Sequence, residues 1–127
     1  MNYPINKTRC KLNLSVFDID DSYLYIRAMA KTIRIGIFGV GHLGKIHVKL
    51  LKEISGYEIV GFYDPDDKNA QKAIDEFGII RFDSAKKLID ACDAIDIVSP
   101  TTTHYDIAHD AIKRAKHVFI EKPMTLD

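Results

Sequence analysis

The chain has 127 residues, 46% of them hydrophobic and 28% charged, the proportions of a single soluble globular domain. Eighteen Lys and Arg balance eighteen Asp and Glu, so the basic bias of a nucleic-acid or membrane-surface binder is missing and neither partner is expected. No apolar run approaches the ~18 residues of a membrane span, and Cys10 and Cys92 lack metal or redox spacing, which leaves reduced thiols in a cytoplasmic protein as the expectation.

Residues 1–28 stand apart from the rest. Despite Lys7, Arg9 and Lys11 they carry no signal-peptide core, and only Leu12, Leu14 and Val16 alternate briefly. They read as a poorly ordered extension upstream of a start at Met29, four residues before the first strand. The domain is therefore placed at 29–127.

From Lys31 onward, short apolar runs alternate with helical patterns. Ile33 to Phe38 read as a strand. Leu43, Ile46, Leu50, Leu51 and Ile54 recur every three or four residues, predicting a helix with one apolar stripe. Glu58 to Tyr63 form the second strand. Ala70, Ala73, Ile74 and Phe77 mark a helix that Gly78 ends. Ile79 to Phe82 make a short third strand, and Ala85, Leu88 and Ile89 a third helix capped by Asp83 or Ser84. Ala94 to Ser99, nearly all apolar, form a fourth strand buried on both faces. Thr103 and Asp106 make a capping pattern before the stripe Ile107, Ala108, Ala111, Ile112. His117 to Glu121 are the fifth strand. Five strands joined by four helices and short connections predict an α/β domain with a doubly wound parallel sheet in the order 3-2-1-4-5.

Between the first strand and first helix lies Gly39-Val40-Gly41-His42-Leu43-Gly44. A G-x-G-x-x-G pattern is weak alone, but a strand before it and a helix after it are the context that a phosphate-binding turn requires. Gly39 allows the tight turn, Gly41 lets a pyrophosphate approach the backbone, and Gly44 permits close packing of the helix. The free N–H groups and positive dipole end of the helix then hold the phosphates. Asp64 closes the second strand twenty residues after Gly44. There it can accept hydrogen bonds from both adenosine-ribose hydroxyls, and its charge disfavours a 2′-phosphate. NAD is thus the expected cofactor. Lys68 softens the preference while Asp66 and Asp67 strengthen it, so NADP remains a second candidate. Asp-Pro-Asp-Asp is equally good turn chemistry.

Ligands of such a sheet bind beyond the carboxyl ends of its strands, where the strand order reverses. Ser99-Pro100-Thr101-Thr102-Thr103-His104 leaves the fourth strand opposite the glycine turn, and Glu121-Lys122-Pro123 leaves the fifth at the same rim. The three segments are expected to share one dinucleotide, the last two facing its nicotinamide half. His47, His109 and His117 read as surface or structural, no cluster has metal-ligand spacing, and no pair suggests a nucleophile with its base.

The run SPTTTHYDIAHDAIKRAKHVFIEKP, together with the glycine turn, resembles the amino-terminal NAD(P)-binding Rossmann domain of the Gfo/Idh/MocA oxidoreductases (glucose–fructose oxidoreductase and inositol dehydrogenase among them). The likeness covers Lys31 to the last residue. It implies cofactor contacts from Gly39, Gly41, Gly44, Pro100, Thr101, His104, Glu121 and Pro123, and a catalytic Lys122 that would hydrogen-bond the substrate oxygen and favour charge developing on it during hydride transfer. Pro123 would fix the turn that aims Lys122, and Glu121 would pair with Lys122 or orient the nicotinamide ribose. Burial beside the nicotinamide would disfavour the ammonium form of Lys122. Two positions depart from the family pattern. Thr101 stands where Asn is frequent, so its backbone and hydroxyl must replace that contact. Ala115 stands where Gly commonly ends the helix, at a left-handed position costing about 1 kcal/mol.

The resemblance further implies a second domain carrying the pocket for a carbohydrate-like substrate, the proton-transfer residues and the homo-oligomer interface, none of which the 127 residues contain. The expectation is therefore the cofactor half of a sugar or polyol dehydrogenase, inactive by itself. The alternative is a non-catalytic dinucleotide-binding module, a redox sensor or partner subunit. A methyltransferase using S-adenosylmethionine shares the glycine turn and acidic strand end, but the Glu-Lys-Pro segment argues against it.

Overall fold

The computed structural model describes residues 31–124. The expected extension at 1–28, the start at Met29 and Cys10 lie outside them. Strand β1 (Ile33–Phe38) is flanked by β2 (Tyr57–Tyr63) and β3 (Ala94–Ile97), and β4 (His117–Ile120) follows β3 at the far side. All three pairings are parallel, in the order β2-β1-β3-β4. Helices α1 (His42–Glu53), α2 (Asp67–Phe77), α3 (Ala85–Ala91) and α4 (His104–Lys113) lie between the strands in sequence.

This is the doubly wound arrangement expected, with one difference at the edge. The third expected strand is a single bridge outside β2: Phe62 N–H donates to Ile80 O at 2.9 Å, and Phe82 N–H donates to Phe62 O at 2.8 Å. The order 3-2-1-4-5 is kept with its third member reduced to one pair. The register between β1 and β2 passes from Ile59 to Gly61 and skips Val60, a bulge that bends β2. Beyond it only a short stretch of β2 remains for the incoming chain, and the exposed Ile80 offers no burial that would lengthen the pairing.

Alternation along the strands divides the core in two. Phe38, Ile95 and Ile97 pack with Leu88, Ile89 and Ala111 under α3 and α4. Ile37 and Phe62 pack on the opposite face with Val48, Ala70 and Ala73 under α1 and α2. The expected stripe on α1 is misplaced. Its buried residues are Gly44 and Val48, with Leu51 packed against them, while Leu43, Ile46, Leu50 and Ile54 are exposed. The rotation follows from Gly44, which presses on the turn before the helix.

Helix ends follow local chemistry. Asp66 caps α2 by accepting from Asn69 N–H at 2.9 Å, and Gly78 ends it at φ 64° with its N–H on Ile74 O. Ser84 occupies the cap position of α3 without a side-chain bond. The capping pattern expected at Thr103 and Asp106 does not form, because a 3₁₀ turn, Thr101–Thr103, runs directly into α4. The Thr103 hydroxyl donates instead to Pro100 O at 2.7 Å. At the other end of α4, Ala115 sits at φ 55°, as its place in the sequence suggests, and Lys116 N–H bonds back to Ala111 O at 3.0 Å. Replacing Ala115 by Gly should raise stability by about 1 kcal/mol, read as a higher denaturant midpoint at unchanged slope; a lower midpoint would show that the left-handed residue carries no strain.

Cys92 is fully buried on α3's side of the sheet. Burial pushes its thiol up to about 11, against the pull of the Lys116 and Arg34 charges. The folded state therefore keeps this proton where the unfolded chain releases it. The resulting stability is complete below pH 9 and lost as pH rises through 11. Stability measured from pH 8 to 11 should fall more steeply in the native protein than in Cys92→Ala; parallel curves would contradict the assignment.

Candidate functional site

At the carboxyl edge of the sheet, the glycine turn, the end of β2 and the loop after β3 wall a cleft of about 860 Å³. Gly39 turns the chain at φ 89°, its N–H donating to Tyr63 O at 3.0 Å. A Cβ on it would lie 2.8 Å from the backbone N and Cα of Ser99, so only glycine fits between the ends of β2 and β3. A Cβ on Gly44 would come within 2.0 Å of Gly39 O. Gly41 differs from both, since no atom of the described residues lies within 4 Å of where its Cβ would stand. It occupies the cap position of α1 with no side-chain hydrogen bond, and no acidic residue follows in the first turn. The first N–H groups of α1 are thus left for an acceptor from outside the helix.

Asp64 is the second fixed point. It is 6% exposed, with Oδ2 accepting from Val40 N–H at 2.9 Å and Oδ1 from Asp66 N–H at 2.8 Å. Each carboxylate oxygen has two lone pairs, so these bonds fix its orientation and leave acceptor capacity on the cleft side. The turn-forming and ligand-facing readings of Asp64 are therefore compatible. The Arg81 guanidinium donates to Asp64 O at 2.8 Å and pairs with Asp67 at 2.8 Å.

Of the residues proposed from sequence, Gly39, Gly41, His42, Leu43, Gly44, Asp64 and Pro100 line the cleft. Val40 does not; its side chain is fully buried and it contributes its N–H to Asp64. Thr101 lies in the 3₁₀ turn, away from the cleft wall. Ser99 and Thr103, from the segment expected to face the dinucleotide, line it as well, and sequence reasoning missed Tyr63, Asn69 and Asp106, which also line it. Their neighbourhood to Asp64 and Pro100 in the chain is the only signal that could have found them.

His104 is 1% exposed and stands behind the cleft. Its Nε2 lies 2.8 Å from Ser99 O and its Nδ1 3.1 Å from Pro123 O, so the ring joins the loop after β3 to the one after β4. The segment Glu121–Pro123 sits at the same end of the sheet, with Glu121 N–H on Ile97 O at 3.0 Å, but it does not wall the cleft. Lys122 is exposed rather than buried. Glu121 is not paired with the Lys122 ammonium: its Oε2 accepts the Lys122 backbone N–H at 3.3 Å, and its Oε1 faces His47 Nε2 at 3.2 Å. Among the described residues no three His, Cys, Asp or Glu side chains gather as metal ligands, and no helix is long and apolar enough to cross a membrane.

Residues 33–127 match a family model described as an oxidoreductase family with an NAD-binding Rossmann fold. UDP-N-acetylglucosamine 3-dehydrogenase of Acidithiobacillus ferrooxidans is 38% identical over 95 residues, 75% of this chain and 30% of that protein. Glucose-6-phosphate 3-dehydrogenase of Bacillus subtilis is 37% identical over 93 residues, 73% of this chain and 27% of that protein. Among solved structures, apo scyllo-inositol dehydrogenase from Lactobacillus casei is similar at a TM-score of 0.71 and 34% identity, covering 77% of this chain and 30% of that chain. Biliverdin reductase from Synechocystis sp. PCC 6803, in complex with biliverdin and NADP+, gives a TM-score of 0.72 at 28% identity, covering 76% and 31%. The chain thus spans less than a third of the length of these relatives.

The glycines make a paired prediction. Gly44→Ala should destabilise the fold by about 1–3 kcal/mol through overpacking against Gly39 O. Gly41→Val should fold with near-native stability yet lose dinucleotide binding, since its side chain would enter only the open cleft. Thermal melts and calorimetric titration separate the two; a Gly41→Val protein that binds normally would remove the phosphates from this turn.

Proposed function

The chain belongs to the Gfo/Idh/MocA oxidoreductase family through its NAD-binding Rossmann fold, and from that premise we propose that it is the cofactor-binding part of an NAD-dependent dehydrogenase of a sugar, polyol or related carbohydrate. The observation that carries the reading is the cleft, which the open backbone at Gly41 and the buried carboxylate of Asp64 both line. Its volume is within the range of small-molecule sites. The dinucleotide, when bound, supplies the hydride acceptor. The N–H groups opening α1 would hold its phosphates and Asp64 its adenosine ribose.

The charges on the wall support NAD over NADP. Asp64, Asp66 and Asp106 line the cleft, and neither lysine nor arginine does among the described residues; Arg81 nearby is held by Asp67. A 2′-phosphate would meet carboxylates without a partnering cation.

Lys122 is the side chain we assign to the substrate oxygen, where its ammonium would stabilise the negative charge that develops there as the hydroxyl proton leaves, before hydride passes to the dinucleotide. Its exposure leaves it free to reach a ligand lying beyond the cleft. The carbohydrate class rests on relatives named as dehydrogenases of UDP-N-acetylglucosamine, glucose 6-phosphate and inositol. The domain is assigned to 29–127, supported by a family match that begins at residue 33. A cytoplasmic homo-oligomer is the setting we assign; the free Cys92 thiol suits a reducing compartment, and exposed Leu50, Ile54 and Phe119 suit a further protein contact.

Calorimetry with NAD, NADP and S-adenosylmethionine tests the reading. NAD should bind at least tenfold more tightly than NADP, about 1.4 kcal/mol, and S-adenosylmethionine should not bind. Failure of NAD to bind would end the proposal, and equal affinity for NADP would overturn the role given to the carboxylates.

A further inference from the structure

In the middle of β3, between Ile95 and Ile97, lies Asp96. It is 3% exposed and turned to the face of the sheet that carries α1. Its Oδ2 is 2.9 Å from His47 Nδ1, while its Oδ1 is buried with no hydrogen-bond partner among the described residues. The opposite ring nitrogen, His47 Nε2, is 3.2 Å from Glu121 Oε1. An imidazole on α1 therefore bridges a buried carboxylate in the sheet to the residue immediately before Lys122.

The proton count of this arrangement is constrained. An ionised carboxylate only accepts, and a neutral imidazole has a single N–H. For both contacts to be hydrogen bonds, the three groups must share two protons, either as an imidazolium between two carboxylates or as a neutral imidazole with one protonated acid. With one proton fewer, one contact sets lone pair against lone pair. The contact that opens is the one to Glu121, the longer of the two and the one made by the more exposed acid. Burial raises the Asp96 carboxyl above its ordinary range, the His47 hydrogen bond pulls it down, and the Glu121 charge raises it further, so the unit binds protons as a whole.

We propose that Asp96, His47 and Glu121 form a two-proton latch that positions the Glu121–Lys122–Pro123 segment, closed when both protons are present and released when one is lost. The groups facing the His47 ring are Asp96 from β3, Glu121 after β4 and the Phe119 ring of β4 at 6.1 Å, with Tyr57 of β2 in the same groove. Closing fixes the residue before Lys122, while the His104 ring contacts the carbonyl of the residue after it at 3.1 Å. Asp96 and His47 are thus positioning residues for Lys122. The importance of Lys122 to chemistry rests on the proposed function, whereas the latch itself does not.

Nitrogen-15 NMR of the 127-residue protein across pH tests it. The ring nitrogens of His47 and the backbone amides of Glu121 and Lys122 should respond with one shared midpoint. In Asp96→Asn that shared transition should move to lower pH by about one unit or more, since an opposite charge in contact has been removed; in His47→Gln the response of the two amides at that midpoint should vanish, leaving only the response to ionisation of the Glu121 carboxyl itself. Unchanged amides in β1 serve as the fold control, and His47→Gln, whose amide can still donate to Asp96, decides the question if Asp96→Asn does not fold. A ring and amides that titrate separately, or a midpoint indifferent to Asp96, would overturn the latch. NAD titration of the unmutated protein is read independently: absent binding with a shared midpoint sinks the dehydrogenase reading alone, and binding with uncoupled titrations sinks the latch alone.

Discussion

A Cβ at Gly44 would fall 2.0 Å from the carbonyl oxygen of Gly39, and no side chain tolerates that distance. The first turn of α1 is therefore laid directly on the turn that precedes it. This contact sets the rotation of the helix about its axis: Gly44 and Val48 go down onto the sheet, and the open backbone of Gly41 faces the cleft. Because Gly39 is in turn wedged against the backbone of Ser99, the start of α1, the end of β1 and the loop after β3 form one rigid corner.

The cleft inherits its shape from that corner. Asp64 adds the third side by accepting the Val40 N–H, so the group proposed to read the ribose and the turn proposed to read the phosphates are tied by one hydrogen bond. Displacing either moves the other. The same rotation of α1 has a consequence on its far flank, where His47 is brought against Asp96 and Glu121 and Leu50 and Ile54 are left exposed. A single close approach between two glycines thus governs both the cleft and the support of the segment bearing Lys122.

Alternation of short strands with helical patterns was enough to predict the layered parallel sheet, and the G-x-G-x-x-G spacing with Asp64 identified two walls of the cleft. Both signals are local: periodicity reports which face of an element is apolar, and glycines mark where the backbone crowds. What was illegible depends on contacts distant in the chain. The α1 stripe was misjudged because periodicity gives a face and not a rotation, and Gly44, having no side chain, outweighed four larger apolar residues. The expected strand at Ile79–Phe82 shrank to a bridge through a bulge at Val60 that no propensity marks. The link from His47 to Asp96 spans 49 residues; its one trace in the sequence was an aspartate between two isoleucines in a strand otherwise read as apolar. Lys122 was expected at a buried rim, but its neighbours Glu121 and Pro123 are the groups held, and the lysine itself is exposed.

The central claim is that the corner built on Gly39 and Gly44 binds one extended dinucleotide along the cleft from Asp64 to Ser99. Titrating the nitrogen-15-labelled protein with NAD and following every backbone amide tests this most directly. The account predicts that the amides of residues 41–44, Asp64, Asp66, Ser99 and residues 101–103 shift together, saturating at a common concentration, while those at the opposite end of the sheet around Asp93 and Lys116 stay fixed. Shifts scattered over the surface, or confined to a region away from these three segments, would contradict it.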